Sequence, residues 1–488
     1  MRLVLLVACA LAGCASDSLI PCGEDATCIP YGARCVAGLC RRPEDPMPDE
    51  GAPADLAAPA DLAAACGDNA GCGAATAPIC DLIDHACRAC AVGECTGARP
   101  RCAADGPLAG ACVECTSEAH CAAARQVCSA TGTCAPCTAH GQCGAGVCDA
   151  GACVLPTEIV YVDNAQAPCA GADGTRAKPF CTVTDGVHAL GARRYVVVAG
   201  SATPYGTETV DASWPADVSV VGPGAAATPA ARFASTSPIF FLGNAVAGHT
   251  LTLSGLDLAG PGLNGTSPIV GCANGNKVVV LDCRLHDTAG AAVWINGGDA
   301  TLIGNEISGG QAGSVTVVSS MPHTGTVVLQ RNRIHNNPGP LDLAPDHLTV
   351  EDNLIALSGP VRFASGSAAT LRFNTIVHNS GPGAGVGCAG PSSMSDTIVF
   401  ANSSFAGSQL DLAGCTLGAN VVTGLDGAPG AVLLSPVFMG AVDFRLVPGN
   451  ADDLACCIDK ATVGPALDVT GAPRPWGAGY DVGAYEVP

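Results

Sequence analysis

The sequence predicts an all-β chain: a right-handed parallel β-helix preceded by small disulfide-rich modules. Three observations predict it. The 488 residues hold 30 cysteines behind an apolar leader. Twenty of those cysteines, from Cys22 to Cys153, fall into five groups of four. Beyond residue 155 the cysteines thin out, and short aliphatic runs recur with an Asn at a fixed place in each.

The leader reads "MRLVLLVACALAGC". Its apolar run, Leu3 to Ala12, is too short to cross a bilayer as a helix. One Arg, an apolar stretch and small residues make a secretory signal over residues 1–13. A buried N-terminal strand is the competing reading. "LAGC", Leu11 to Cys14, resembles the lipobox of bacterial lipoproteins, and "LVAC", ending at Cys9, is a weaker match. The resemblance implies acylation of Cys14, a membrane contact through that lipid, and, with Ala15 next, the outer membrane of the cell envelope. No later segment reads as membrane-spanning.

Export makes disulfides the expected state of the cysteines. With Cys9 and Cys14 of the leader set aside, Cys22–Cys153 holds 20 and the chain beyond it eight, both even, as paired domains require. The groups are Cys22, Cys28, Cys35, Cys40; Cys66, Cys72, Cys80, Cys87; Cys90, Cys95, Cys102, Cys112; Cys115, Cys121, Cys128, Cys134; and Cys137, Cys143, Cys148, Cys153. Each C-x-x-C is then a joint between units. A zinc ribbon would leave Cys121 and Cys128 without a role, so no metal is expected. Four cysteines allow three pairings, which spacing cannot separate. Tyr31 is the only aromatic between residues 15 and 153, and units this small need cross-links to hold a fold. They resemble the tandem cysteine-rich repeats of bacterial surface lipoproteins, which implies a stalk over 14–153. A Pro/Ala linker at 41–65, with "APADLA" twice, separates the first two units.

The region 155–488 carries the repeat: an aliphatic, two residues, Asn, one residue, an aliphatic. It reads Leu302, Asn305, Ile307; Leu329, Asn332, Ile334; Val350, Asn353, Ile355; and Leu371, Asn374, Ile376. Weaker copies centre on Leu256, Cys283 and Ser403. The two aliphatics are five apart, so a flat strand would point them to opposite faces. A bend at the Asn turns both inwards, and Asn tolerates the left-handed backbone such a bend needs. Stacked at about 4.8 Å per layer, the Asn amides would bond from coil to coil. That describes roughly a dozen coils of a β-helix; a β-sandwich with chance repeats is the alternative.

"YVDNAQAPCAGADGTRAKPFCTVTDGVHAL" (161–190), "RYVVVAGSATPYGTETV" (194–210) and "DVGAYEV" (481–487) resemble the opening, first coil and closing strand of the pectate-lyase-like β-helix superfamily. The resemblance implies the fold but no single activity, since that fold hosts lyases, hydrolases, esterases and adhesins. Outward stripes follow the corner: Arg284, Glu306, Arg333, Leu354, Thr375, and His286, Ser308, His335, Ala356, Val377. Arg284 and Arg333 could bind a uronate carboxylate, with Glu306 or His335 as base. A solvated charge ladder explains the same residues. Asp346, Glu351 and Asp352 read as a coil turn. The later cysteines read as staples: Cys169 with Cys181, Cys272 with Cys283, Cys388 with Cys415. Cys456 and Cys457 either join each other or pair separately, the second being favoured.

The formal charge is −21, with Lys178, Lys277 and Lys460 the only lysines. Such a surface excludes nucleic acid and weighs against polyanions such as pectin. Aromatics are 4%, leaving Trp214, Trp294 and Trp476 as candidate sugar platforms. No cofactor motif is present. The expected role is structural or adhesive, binding a glycan or a surface protein. A polysaccharide lyase or glycoside hydrolase is the alternative.

Overall fold

A computed structural model describes residues 86–206, 217–234, 238–242, 248–262, 267–318, 325–363, 368–381, 385–388, 391–404, 412–424 and 430–487, with pieces at 34–36, 39–41, 69, 72 and 77–81. The leader, Cys14, the 42–65 linker, most of the first cysteine unit and Trp214 lie outside the described residues. So do the structures around them on which their expected roles depend.

Three parallel sheets wind round one core. The first has eleven strands, from Ile159–Val162 to Thr416–Leu417; the second ten, from Arg232–Ala234 to Val432–Leu433; the third eight, from Phe240–Leu242 to Leu412–Ala413. About eight turns therefore have all three walls, fewer than the dozen the repeat suggested. Among the described residues, the third sheet begins only at Phe240–Leu242, and the last residues leave the solenoid. Along each strand every second side chain points in. Val280, Leu302, Leu329, Val350 and Leu371 stack in register from the first sheet, and Leu285, Ile307, Ile334, Ile355 and Ile376 from the second, all fully buried.

The corner between these sheets makes the five-residue spacing work. Asn305, Asn332, Asn353 and Asn374 pile above one another inside it. Asn305 Nδ2 donates to Asn332 Oδ1 at 2.9 Å, Asn332 to Asn353 at 2.9 Å, and Asn353 to Asn374 at 3.0 Å. Each Oδ1 also accepts the backbone N–H of the turn before, at 2.9–3.0 Å. Each Nδ2 reaches a carbonyl of that turn, such as Leu302 O from Asn332 at 2.8 Å. The left-handed residue is not the Asn but the one before it: Gly304, Arg331, Asp352 and Phe373 have φ of 70°, 53°, 62° and 55°. The Asn backbone stays free to start the next strand while its amide closes the bend. At Gly304 a Cβ would come within 2.2 Å of Asp282 Oδ1, so a side chain there would have to displace the Asp282 carboxylate. The row ends at Thr397, 23 residues past Asn374, whose Oγ1 accepts the Asn374 N–H at 3.3 Å. Ser403, expected there from the repeat, instead pairs with Ser380 beyond the second sheet. Successive rungs at Asn332, Asn353 and Asn374 are 21 residues apart.

Helix α1, Val183–His188, closes the first end. The Thr182 hydroxyl accepts the Asp185 N–H, and Val183 and Val187 pack into the core with Val160, Val162 and Val196. Cys169–Cys181 clips the loop before it. Cys388–Cys415 ties successive turns, 27 residues apart. Cys272 and Cys283 do not pair. Cys272 is in the third sheet and Cys283 at the first corner, on different walls, and burial pushes both thiols up to about 12. Cys283 takes a ladder position: its sulfur accepts the Leu256 N–H at 3.4 Å, and its own N–H donates to Asn305 Oδ1 at 2.9 Å. Cys456 and Cys457 join each other, against the favoured separate pairing. Both are buried at the end of α2, Ala451–Cys456.

The fourth and fifth cysteine units pair first with third and second with fourth. Cys115–Cys128 and Cys121–Cys134 build the fourth unit, Cys137–Cys148 and Cys143–Cys153 the fifth. Cys72–Cys87 and Cys95–Cys112 are second-to-fourth bonds of the units before. The fifth unit does not stand clear of the solenoid. Its Val147 and Val154 are buried with Ile159, Tyr161, Tyr195 and Val221 on the outer face of the first sheet. The Tyr161 hydroxyl donates to Ala145 O at 3.2 Å, Arg176 donates to Gly144 O at 2.9 Å, and the Tyr195 hydroxyl donates to Asp149.

Candidate functional site

The charged stripe forms as register dictates: Arg284 lies beside Glu306 and Glu306 beside Arg333 on the outside of the second sheet. Glu306 Oε2 lies 3.9 Å from Arg284 Nε, and its Oε1 contacts His335 Nε2 at 3.2 Å. The carboxylate is 41% exposed. A general base needs a carboxylate held out of water so that its pKa rises towards the working pH. Glu306 is instead solvated and shared between two basic groups.

One turn back the same stripe is more enclosed. His286 Nε2 meets Asp257 Oδ1 at 2.8 Å, and its Nδ1 meets Asp287 Oδ2 at 2.7 Å. The bond to Asp257 raises the imidazole pKa against burial, helped by Asp287. Burial alone would raise Asp257, but the His286 bond and the charges of His286, Arg284 and Arg232 leave it lowered. Both ring nitrogens of His286 are thus spent on carboxylates of the protein itself.

The later half of the stripe faces no solvent. Leu354, Ala356, Val377, Ile398 and Val422 are covered by Phe444, Leu446, Val469, Val482 and Tyr485 from the C-terminal segment. Thr375 Oγ1 accepts the Ala484 N–H at 3.0 Å. The sequence pattern showed outward positions but not that the chain returns to cover them.

The third sheet carries what sequence reading located only in part. Its outward row runs Phe241, Gly271, Trp294, Thr316, Asp342, Arg362, each beside the next. Phe241 and Trp294 stack with ring centroids 6.0 Å apart and planes 21° from parallel. Gly271 allows this: a Cβ there would lie 2.3 Å from Phe241 Cδ2. Both residues are half-buried. Asp342 and Arg362 follow along the row as a solvated pair at 3.6 Å. The sequence singled out Trp294; Phe241 lies 53 residues earlier in the sequence, and only the register unites them. Trp476 is exposed elsewhere, beside Met439 and Tyr485 on the C-terminal segment.

Among the described residues, the closely spaced sulfurs Cys115, Cys121, Cys134 and Cys137, Cys143, Cys153 are all in disulfides. No helix there is long and apolar enough to cross a membrane.

A family model described as "Right handed beta helix region" matches residues 268–423. No curated protein matches the chain. A crystal structure of pectate lyase Pel9A is similar at 13% identity and a TM-score of 0.40, over 67% of this chain and 96% of that one. Between residues 268 and 423, family model and coordinates agree on one architecture: a right-handed parallel β-helix.

Proposed function

We propose that the protein is a binding rod of the cell envelope that takes an elongated, uncharged glycan along the third sheet. One observation carries the reading: the Phe241–Trp294 stack lies in line with Thr316, Asp342 and Arg362 on an outer wall. Aromatic faces pack against the C–H face of a sugar ring, and the following polar side chains can bond its hydroxyls. A net charge of −21 favours a neutral ligand over a polyanion. Titration of the protein with neutral and uronate oligosaccharides should give binding to a neutral series, weakened about tenfold by Trp294→Ala. Undiminished binding by that variant would refute the site.

The alternative, a polysaccharide lyase or hydrolase, draws on the Glu306–His335 contact at 3.2 Å. The same mixtures should show no chain cleavage. Cleavage lost in Glu306→Gln and Arg333→Ala would replace binding by catalysis.

We also infer attachment through acylated Cys14, with the outer membrane as the site. The leader sequence and the disulfides, which need an oxidising compartment, support it. Palmitate labelling in a bacterial host should be lost in Cys14→Ala. Retained label would refute the anchor.

A further inference from the structure

At the seam between the fifth cysteine unit and the solenoid, one side chain uses both ring nitrogens. His140 Nδ1 accepts the Cys148 N–H at 3.0 Å within the unit. Its Nε2 lies 3.1 Å from Ser254 Oγ, 114 residues away on the first sheet. Because the Cys148 amide can only donate, Nδ1 is bare and the ring proton sits on Nε2, where it donates to the hydroxyl. Only the neutral imidazole makes both bonds. A second proton would occupy Nδ1 and set two N–H donors against each other.

We propose that His140 is an acid-released latch that holds the fifth cysteine unit on the outer face of the first sheet. Charged and titratable groups of both elements face it. Asp149 lies on its own unit, and Tyr195 donates to Asp149 from the first sheet. Asp282 sits at the corner below, with Arg331 beside it. Asp163 and Arg176 line the same crevice with His140. Burial holds the imidazole below its usual 6.5, although Asp282 and Asp149 pull it back up. A histidine lowered in the folded state contributes stability that is present above 6.5 and lost as pH falls through its lowered value. The unit's two disulfides remain closed throughout, so acid unseats the unit without unfolding it. Unseating would bare Tyr161, Val197 and Val221, the apolar outer row now covered.

Hydrogen exchange on the full chain, corrected for intrinsic rate, tests this between pH 8 and 4.5. Protection of the Cys148 amide should fall at least tenfold, while the Asn353 amide in the core stays protected. Histidine-selective labelling should place the midpoint on the His140 titration. His140→Gln can accept from Cys148 and donate to Ser254 without titrating, so its protection should not vary with pH. If His140→Gln is unseated at every pH, the wild-type midpoint decides. Constant Cys148 protection, a midpoint away from the His140 titration, or the same pH loss in His140→Gln would each overturn the latch.

Discussion

Asn353 shows how much one side chain does at the corner. Its Oδ1 accepts from the Asn332 N–H and the Asn332 amide, and its Nδ2 donates to Leu329 O, Glu351 O and Asn374 Oδ1. It is fully buried, so no water replaces a lost partner. Asn353→Ala should therefore lower unfolding stability by about 2–4 kcal/mol, read from the denaturant midpoint. A loss under about 0.5 kcal/mol would show that the amides merely accompany the bend. Sequence revealed this row because four rungs keep the same residue. It hid a second row five residues further on. Asn337, Ser358, Asn379 and Asn402 line the next corner, where Ser358 donates its N–H to Asn379 Oδ1 at 2.9 Å and Asn379 to Asn402 at 2.9 Å. There the left-handed residues are Asn336, Leu357, His378 and Ala401. The mixture of Asn and Ser, and of residues before them, breaks the pattern that a reader of the chain could follow.

At the level of elements, the C-terminal segment is fastened by a buried charge. Arg474 donates to Asp352 Oδ1 at 2.7 Å, Glu486 Oε2 at 2.8 Å and Asp481 O at 2.6 Å, and its guanidinium lies 5.0 Å from the Phe373 ring centre. One cation thus serves two carboxyl groups. Burial, against the attraction of Arg474, pushes Asp352 up to about 8, and burial pushes Asp481 to about 6. Both carboxyls normally titrate near 3.8. A group raised on folding stabilises fully below its unfolded value, and that contribution is lost as pH rises through the folded one. Attachment of the segment should therefore weaken between pH 4 and about 8, visible as faster exchange of the Ala484 and Val487 amides. Asp352→Asn should flatten the upper part of that profile. Arg474→Met should cost about 3–5 kcal/mol by leaving Glu486 buried without its partner. A flat wild-type profile would mean the carboxyls stay ionised. The sequence resemblance at 481–487 marked a closing strand, but the partner on Asp352 is 122 residues away and no local pattern announces it.

Across the whole solenoid, each wall has its own fate. The first sheet is seated under the fifth cysteine unit at one end, the second is covered by the C-terminal segment at the other, and the third carries the stacked aromatics. Sequence gave the winding, because inward aliphatics and corner amides repeat at intervals a reader can measure. It did not give the walls, since covering depends on chain that arrives from outside the repeat. Leu354 and Val377 looked like members of an open stripe for that reason, and Trp294 looked solitary because its neighbour lies two turns away.

The equal spacing of the rungs at Asn332, Asn353 and Asn374 has a genetic reading. An in-frame duplication of that interval delivers a complete turn whose corner finds an amide above and an amide below. The reach of such a protein can thus change between generations in steps of about 4.8 Å, with neither end redesigned.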